Sequence, residues 1–235
     1  MFKSLSSANP KTLKSVKKGY LTFILHLSPS DLSGYDTCPK ATHGCRLACL
    51  NTAGRGGMFK AGEVTNVIQK ARIRKTRYFF EDRNSFLIDL VSDITKAIKY
   101  AEARGFTPVF RLNGTSDISW EKYKIPGTDT NIFQLFPDYQ FYDYTKVLNR
   151  KVNEIVNYHL TFSRAENNQG SVLKAISQGY NIAVVFKTKQ LPSEYLGLPV
   201  INADDTDLRF LDPKGSISGL YAKGKAKKDT SGFVV

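Results

Sequence analysis

Cys38, Cys45 and Cys49 are the only cysteines in the chain, and all three fall within twelve residues with the spacing Cys38-x6-Cys45-x3-Cys49. An odd number of thiols argues against a disulfide framework, which a reducing compartment disfavours in any case. Inert buried thiols are ordinarily scattered, and these are not. Zinc needs a fourth ligand, for which His43 or His26 are the nearby candidates, but neither spacing matches the paired CxxC of common zinc modules. A 4Fe-4S cluster fits the count better: three thiolates hold three irons, and the fourth iron stays open or takes an exchangeable ligand. Pro39 and Gly44 let the loop curl, Gly54, Gly56 and Gly57 allow close backbone approach, and Arg46 and Arg55 offset the charge of a thiolate-ligated cluster. His43 is the cluster-adjacent candidate on the same loop. His26 and His159 lie in apolar runs and read as core residues.

The elements that must position this loop are legible as hydrophobic patterns. Residues 19–27 form a buried first strand, directly followed by the cysteine segment at about 36–57. Amphipathic spacing predicts helices over 63–79 and 85–103, the second ended by Gly105. Short apolar runs then follow at 108–112, 139–144, 158–163, 181–186, 198–201 and 217–220, with a helix at 170–178 between two of them. Six or seven buried parallel strands with βαβ connections predict one α/β domain over 1–235, a TIM-like partial or full β/α barrel, with an open doubly wound sheet as the other arrangement.

Barrel sites collect at the C-terminal ends of strands. The polar residues that follow the predicted strands are therefore candidates to orient a small molecule at the mouth: Arg111 and Asn113, Lys146, Arg164 and Glu166, and Lys187. If the protein is an enzyme, reductive, radical and Lewis-acid chemistry all stay open.

The chain carries a net charge of +13, and residues 1–80 hold 14 Lys and Arg against three acidic residues. Such a field favours a polyanionic partner. A second function class follows from it: a nucleic-acid-binding protein with a structural cluster or zinc, contacting through residues 1–80 and above all through Arg72, Arg74, Lys75 and Arg77 beside Tyr78 and Phe79. The lysines of the stretch 223–228 lack P-loop order and read as a basic tail. No run reaches the roughly 18 apolar residues of a membrane helix, and the N-terminal residues lack the apolar centre of a secretory signal, so a cytoplasmic protein is expected.

Cys38-Pro39, Ala41-Thr42, Gly44-Cys45 and Cys49, together with Ser163-Arg164-Ala165-Glu166, Gly219-Leu220 and the segment 223–232, resemble a family of phage-encoded three-cysteine proteins over most of the chain. That resemblance implies a host-cell cytoplasmic location. More distantly, a three-cysteine loop after the first strand is similar to the radical S-adenosylmethionine enzymes, which implies a 4Fe-4S cluster with S-adenosylmethionine on the open iron. The chain departs from that pattern in its cysteine spacing, in Ala48 before the last cysteine, and in reading Asn113-Gly-Thr-Ser-Asp117 where a Gly-Gly-Glu-like stretch stands.

Overall fold

The computed structural model describes residues 4–7, 10–61, 63–152 and 154–235. Among them, nine strands form one sheet: β1 (Leu5–Ser6), β2 (Tyr20–Leu25), β3 (Thr107–Arg111), β4 (Gln140–Thr145), β5 (Tyr158–Ser163), β6 (Ile182–Phe186), β7 (Glu194–Tyr195), β8 (Leu198–Asn202) and β9 (Ile217–Tyr221). Their order is β1-β2-β3-β4-β5-β6-β9-β8-β7. From β2 to β8 every neighbour is parallel, while β1 and β7 are antiparallel at the two edges. The six helices are α1 (Pro10–Val16), α2 (His43–Leu47), α3 (Val67–Glu81), α4 (Arg83–Glu102), α5 (Ile132–Leu135) and α6 (Gln169–Ser177).

The expected closed barrel does not form: the two edges do not pair, and the sheet is open. The expected strands are present within a residue or two, because each is an apolar run that only burial on both faces explains. Register puts Phe23, Phe110, Phe141 and Tyr158 on one face, and there α4 packs with Phe86, Leu87, Leu90 and Ile94. Along the same face Phe162, Ile182 and Ile217 receive Val172 and Ala175 of α6. α4 and α6 therefore share one face, while the opposite face carries the 3-10 helix Arg209–Leu211.

The opposite face is covered by the chain itself. β9 lies between β6 and β8, so the connection from β8 must step back across the sheet. It does so over the face opposite α4 and α6, where Leu208 and Phe210 pack on Tyr20, Val109 and Tyr142. This face is polar: Arg111 pairs with Asp207 at 2.7 Å, Arg209 with Asp212 at 3.0 Å, and Ser218 donates to Asp212 at 2.9 Å. The crossover thus fills the space that a barrel would enclose.

One boundary moves for a local reason. The helix expected from residue 63 begins at Val67, because the Asn66 side chain accepts from the Gln69 N–H at 3.0 Å as an N-cap. Val64 and Val67 consequently face solvent, 91% and 72% exposed, and the buried side of α3 is Gln69, Thr76 and Phe79. The 85–103 helix holds almost as expected, and Gly105 ends it at φ +73°.

His159 lies in β5 and His26 directly after β2, and both are half-buried, not core residues as expected. Burial lowers His159 to about 4, helped by Arg209, and lowers His26 to about 3. Between pH 4 and 6.5 the unfolded chain takes up a proton at residue 159 that the folded ring refuses, so stability falls as pH falls through that window, by at most about 1.4 kcal/mol per pH unit. His159→Gln is expected to remove that share of the slope in denaturant melts between pH 4 and 6.5; an unchanged slope would disprove it.

Candidate functional site

All parallel strands end at one edge of the sheet, and the loops there meet. Thr37, at the root of the cysteine segment, donates its hydroxyl to the Ser28 carbonyl at 2.7 Å and accepts the Asp117 N–H on its own carbonyl at 2.8 Å. Cys38 N–H donates to Asp36 at 2.8 Å. α2 then starts at an N-cap: the Thr42 Oγ1 accepts from Cys45 N–H at 3.2 Å.

Glu166 locks this helix from the far side of the sheet. One carboxylate oxygen accepts the Thr42 hydroxyl and the other the Gly44 N–H, both at 2.7 Å. Burial works against the Glu166 carboxylate, but these two hydrogen bonds outweigh it and hold the group below the usual range. The fit tolerates no side chain at Gly44, where a Cβ would lie 2.1 Å from Ser231 Oγ and 2.9 Å from Glu166 Cδ. Arg164, two residues earlier, donates to the carbonyls of Gly232 and Phe233. The Ser163–Glu166 segment is therefore a double clamp, one hand on the cysteine helix and one on the C-terminal segment. That segment in turn packs Ala222, Ala226 and Phe233 against Ala48.

Beyond Cys49 the chain makes two 3-10 turns, Leu50–Thr52 and Gly54–Gly57. Gly56 and Gly57 serve close approach to their own loop: a Cβ would stand 2.5 Å from the Asn51 carbonyl oxygen and 2.1 Å from that of Thr52. Asn66 donates to the carbonyls of Gly56 and Met58, and Arg72 donates to Asn51 Oδ1 at 2.7 Å, so α3 holds these turns in place.

The three thiols are free and half-buried. Cys38 Sγ lies 3.7 Å from Thr37 Oγ1 and 3.9 Å from the Thr115 carbonyl, and Cys49 Sγ accepts the Asn51 N–H at 3.4 Å. Burial pushes the Cys49 thiol up to about 11 and raises Cys38, and the charge of Cys45 acts in the same direction on both. Ionising one thiol therefore makes ionising the others harder. Among the described residues, no three His, Cys, Asp or Glu side chains are gathered as around a single metal ion. A four-iron cluster would take each thiolate on a different iron, whereas zinc would need the three thiolates and a fourth donor on one ion. His43 is exposed and two residues from Cys45 on α2, about 200° around the helix, and faces away from it.

The other candidates have separate placements. Arg111 lies on the face opposite α4 and α6, where Asp207 keeps it charged despite burial. Asn113 is saturated: its Oδ1 accepts from Ser116, Ile118 and Trp120, and its Nδ2 donates to the Ile118 carbonyl at 2.9 Å. Lys187 is exposed, and its N–H holds the Val235 carbonyl at 2.7 Å. Only Lys146 lines a cavity, beside Lys40 and Thr42 of the cysteine segment. On α3, Arg72, Lys75 and Arg77 donate to Asn51, Ser4 and Ser33 of their own chain, while Arg74 is exposed. Phe79 is fully buried and Tyr78 packs on Phe86. The capping role of Thr42 is a signal the sequence carries, Thr before a short helix; Asp117 reads in sequence as a polar residue at a strand end, and nothing local pairs it with Arg150, which it meets at 3.7 Å.

Residues 3–235 match the gene product 88 family, and the chain belongs to that family. The match is consistent with the phage-encoded three-cysteine family and says nothing about S-adenosylmethionine. No curated protein and no solved structure matches the chain.

Glu166→Ala removes the acceptor of two hydrogen bonds to the cysteine helix, a loss of about 1–3 kcal/mol for a charged acceptor. In metal-free protein the reaction of Cys45 with a thiol reagent is expected to quicken about tenfold or more. Labelling at the wild-type rate would show that the clamp does not position the loop.

Proposed function

We propose that this gene product 88 family member is an iron-sulfur protein in which Cys38, Cys45 and Cys49 hold three irons of a 4Fe-4S cluster at the C-terminal edge of the sheet, with the fourth iron open to an exchangeable ligand. The observation that supports it most is the placement of three half-buried thiols on one loop that hydrogen bonds of Thr37, Thr42 and Glu166 fasten at that edge. The exposed placement of His43 and the position of His159 within β5 favour a fourth iron without either histidine as ligand.

A bound cluster supplies a one-electron reservoir and a Lewis-acid iron. The chain's own part is to shelter the thiolates, to fix the loop through Glu166 and Arg164, and to offer Lys146 to a small molecule. The barrel-like winding of the strands and the resemblance to radical enzymes make S-adenosylmethionine one candidate for the open iron. A reducing cytoplasm suits such a group. No helix among the described residues is long and apolar enough to cross a membrane.

A second reading, nucleic-acid binding with a structural metal, has its support in the charge of residues 1–80 and in exposed Lys70 and Arg74. Phosphate-driven binding weakens steeply with salt. If it operates, Lys70→Ala with Arg74→Ala is expected to weaken duplex binding and flatten its salt dependence; a double variant that binds like wild type excludes this surface.

Protein purified without oxygen is expected to be brown, with about four irons and four sulfides per chain, and Cys45→Ser to lose both colour and iron. Colourless wild-type protein carrying stoichiometric zinc would overturn the cluster. Added S-adenosylmethionine that leaves the paramagnetic spectrum of the reduced cluster untouched would remove that molecule as the ligand.

A further inference from the structure

Beside the cysteine segment lies a cavity of about 370 Å³, built from three separate stretches: Lys40 and Thr42 before α2, Lys146 to Asn149 after β4, and Asn167 to Ser171 after β5. Two cationic side chains and no acidic one line it. Neither Lys40 nor Lys146 has an acidic partner among the described residues, whereas the exposed Lys124 and Lys223 do. Two carboxylates stand close by: Glu166 is turned to α2, with both oxygens taken by Thr42 and Gly44, and Asp117 accepts the Thr145 hydroxyl and the Lys146 N–H.

The floor is the start of α6. Its N-cap residue, Asn168, does not cap: the side chain turns back to accept from Ala165 N–H at 2.7 Å and to donate to the Ser163 carbonyl at 3.0 Å. The first-turn N–H groups of α6 thus have no side-chain acceptor, and Ser171 of that turn lines the cavity. Lys146 itself is anchored at its backbone, where its N–H donates to Asp117 at 2.7 Å, and its ammonium lies 5.7 Å over the Phe233 ring. The ammonium lies in the electrostatic field of Asp117 and Cys49 and forms no ion pair within 4 Å among the described residues.

The geometry points to this cavity as the seat of a small oxyanion-bearing molecule, a phosphate or carboxylate compound, whose anionic group lies between Lys40, Lys146 and the α6 N-terminus and whose remainder extends toward the cysteine loop. That this seat serves substrate rests on the cluster reading above; the binding itself does not. The cationic wall supplies charge and the free N–H groups supply direction, so the site selects anions over neutral molecules of the same size.

The test is calorimetric titration of full-length protein at low salt with pyrophosphate and, separately, citrate. Saturable binding of at least one is expected, the tighter of the two telling phosphate from carboxylate. Lys146→Ala and, independently, Ser171→Glu, which places a competing carboxylate in the first turn of α6 where it favours the helix, are each expected to weaken it at least tenfold, while Arg74→Ala leaves it unchanged. Failure of both probes to saturate the wild type, or wild-type affinity in Lys146→Ala and Ser171→Glu, overturns the site. Iron content of the same preparation separates the two readings: anion binding without iron sinks the cluster and leaves the seat, and iron without anion binding does the reverse.

Discussion

The cysteine loop is held in place by a buried polar hub at the C-terminal edge of the sheet. Asp117 accepts from the Thr145 hydroxyl and the Lys146 N–H, donates its own N–H to Thr37, and faces Arg150 at 3.7 Å. Arg150 is buried and grips Glu121 with two nitrogens, while Asn113 N–H donates to Asp143 at 2.8 Å and Tyr158 donates to the same carboxylate at 3.1 Å. The loops after β2, β3 and β4 are thereby fastened to one another without a regular element between them. Removing a single partner from such a set strands a buried charge, at about 3–5 kcal/mol, so the hub stands or falls as a unit.

A sheet edge held that stiffly can carry a functional loop only if the rest of the molecule leaves the edge accessible. Winding does this. The strands advance in sequence from β2 to β6 with α4 and α6 on one face, and the single reversal at β9 sends the β8–β9 connection across the other. Arg111, Tyr142 and His159 face that connection and not solvent, and the polar interior that a barrel would open to a ligand is occupied by Asp207, Leu208 and Arg209. Access is left to the loops at the C-terminal rim, where the thiols, Lys146 and the start of α6 lie.

Charge is spent in two ways. Part of the basic charge in the first third of the chain is engaged within it: Arg72, Lys75 and Arg77 tie α3 to the cysteine turns, to β1's neighbourhood and to the loop at Ser33. Burial lowers Lys75 to about 8, which shows how far it has left water. A cation held by carbonyls of its own chain is a poor phosphate ligand, whereas Lys40 and Lys146, without acidic partners, keep their charge for something else.

Whatever depends on local pattern was legible in the sequence. Phe110 and Ile182 lie in apolar runs that only buried strands explain, the spacing of Leu87, Leu90 and Ile94 gives α4, and the three cysteines mark the loop that carries the chemistry. What depends on distant pairing was not. Glu166 reads as a polar loop residue at a strand end, and only its contact with Thr42, 124 residues away, makes it the clamp of the cysteine helix. Arg111 reads as a rim residue until Asp207, 96 residues on, takes it to the opposite face, and the open sheet follows from the placement of β9 between β6 and β8. Periodicity records which side of an element is buried; it contains no term for which element does the burying, because that choice is made by long-range packing and by the partners that buried charges require.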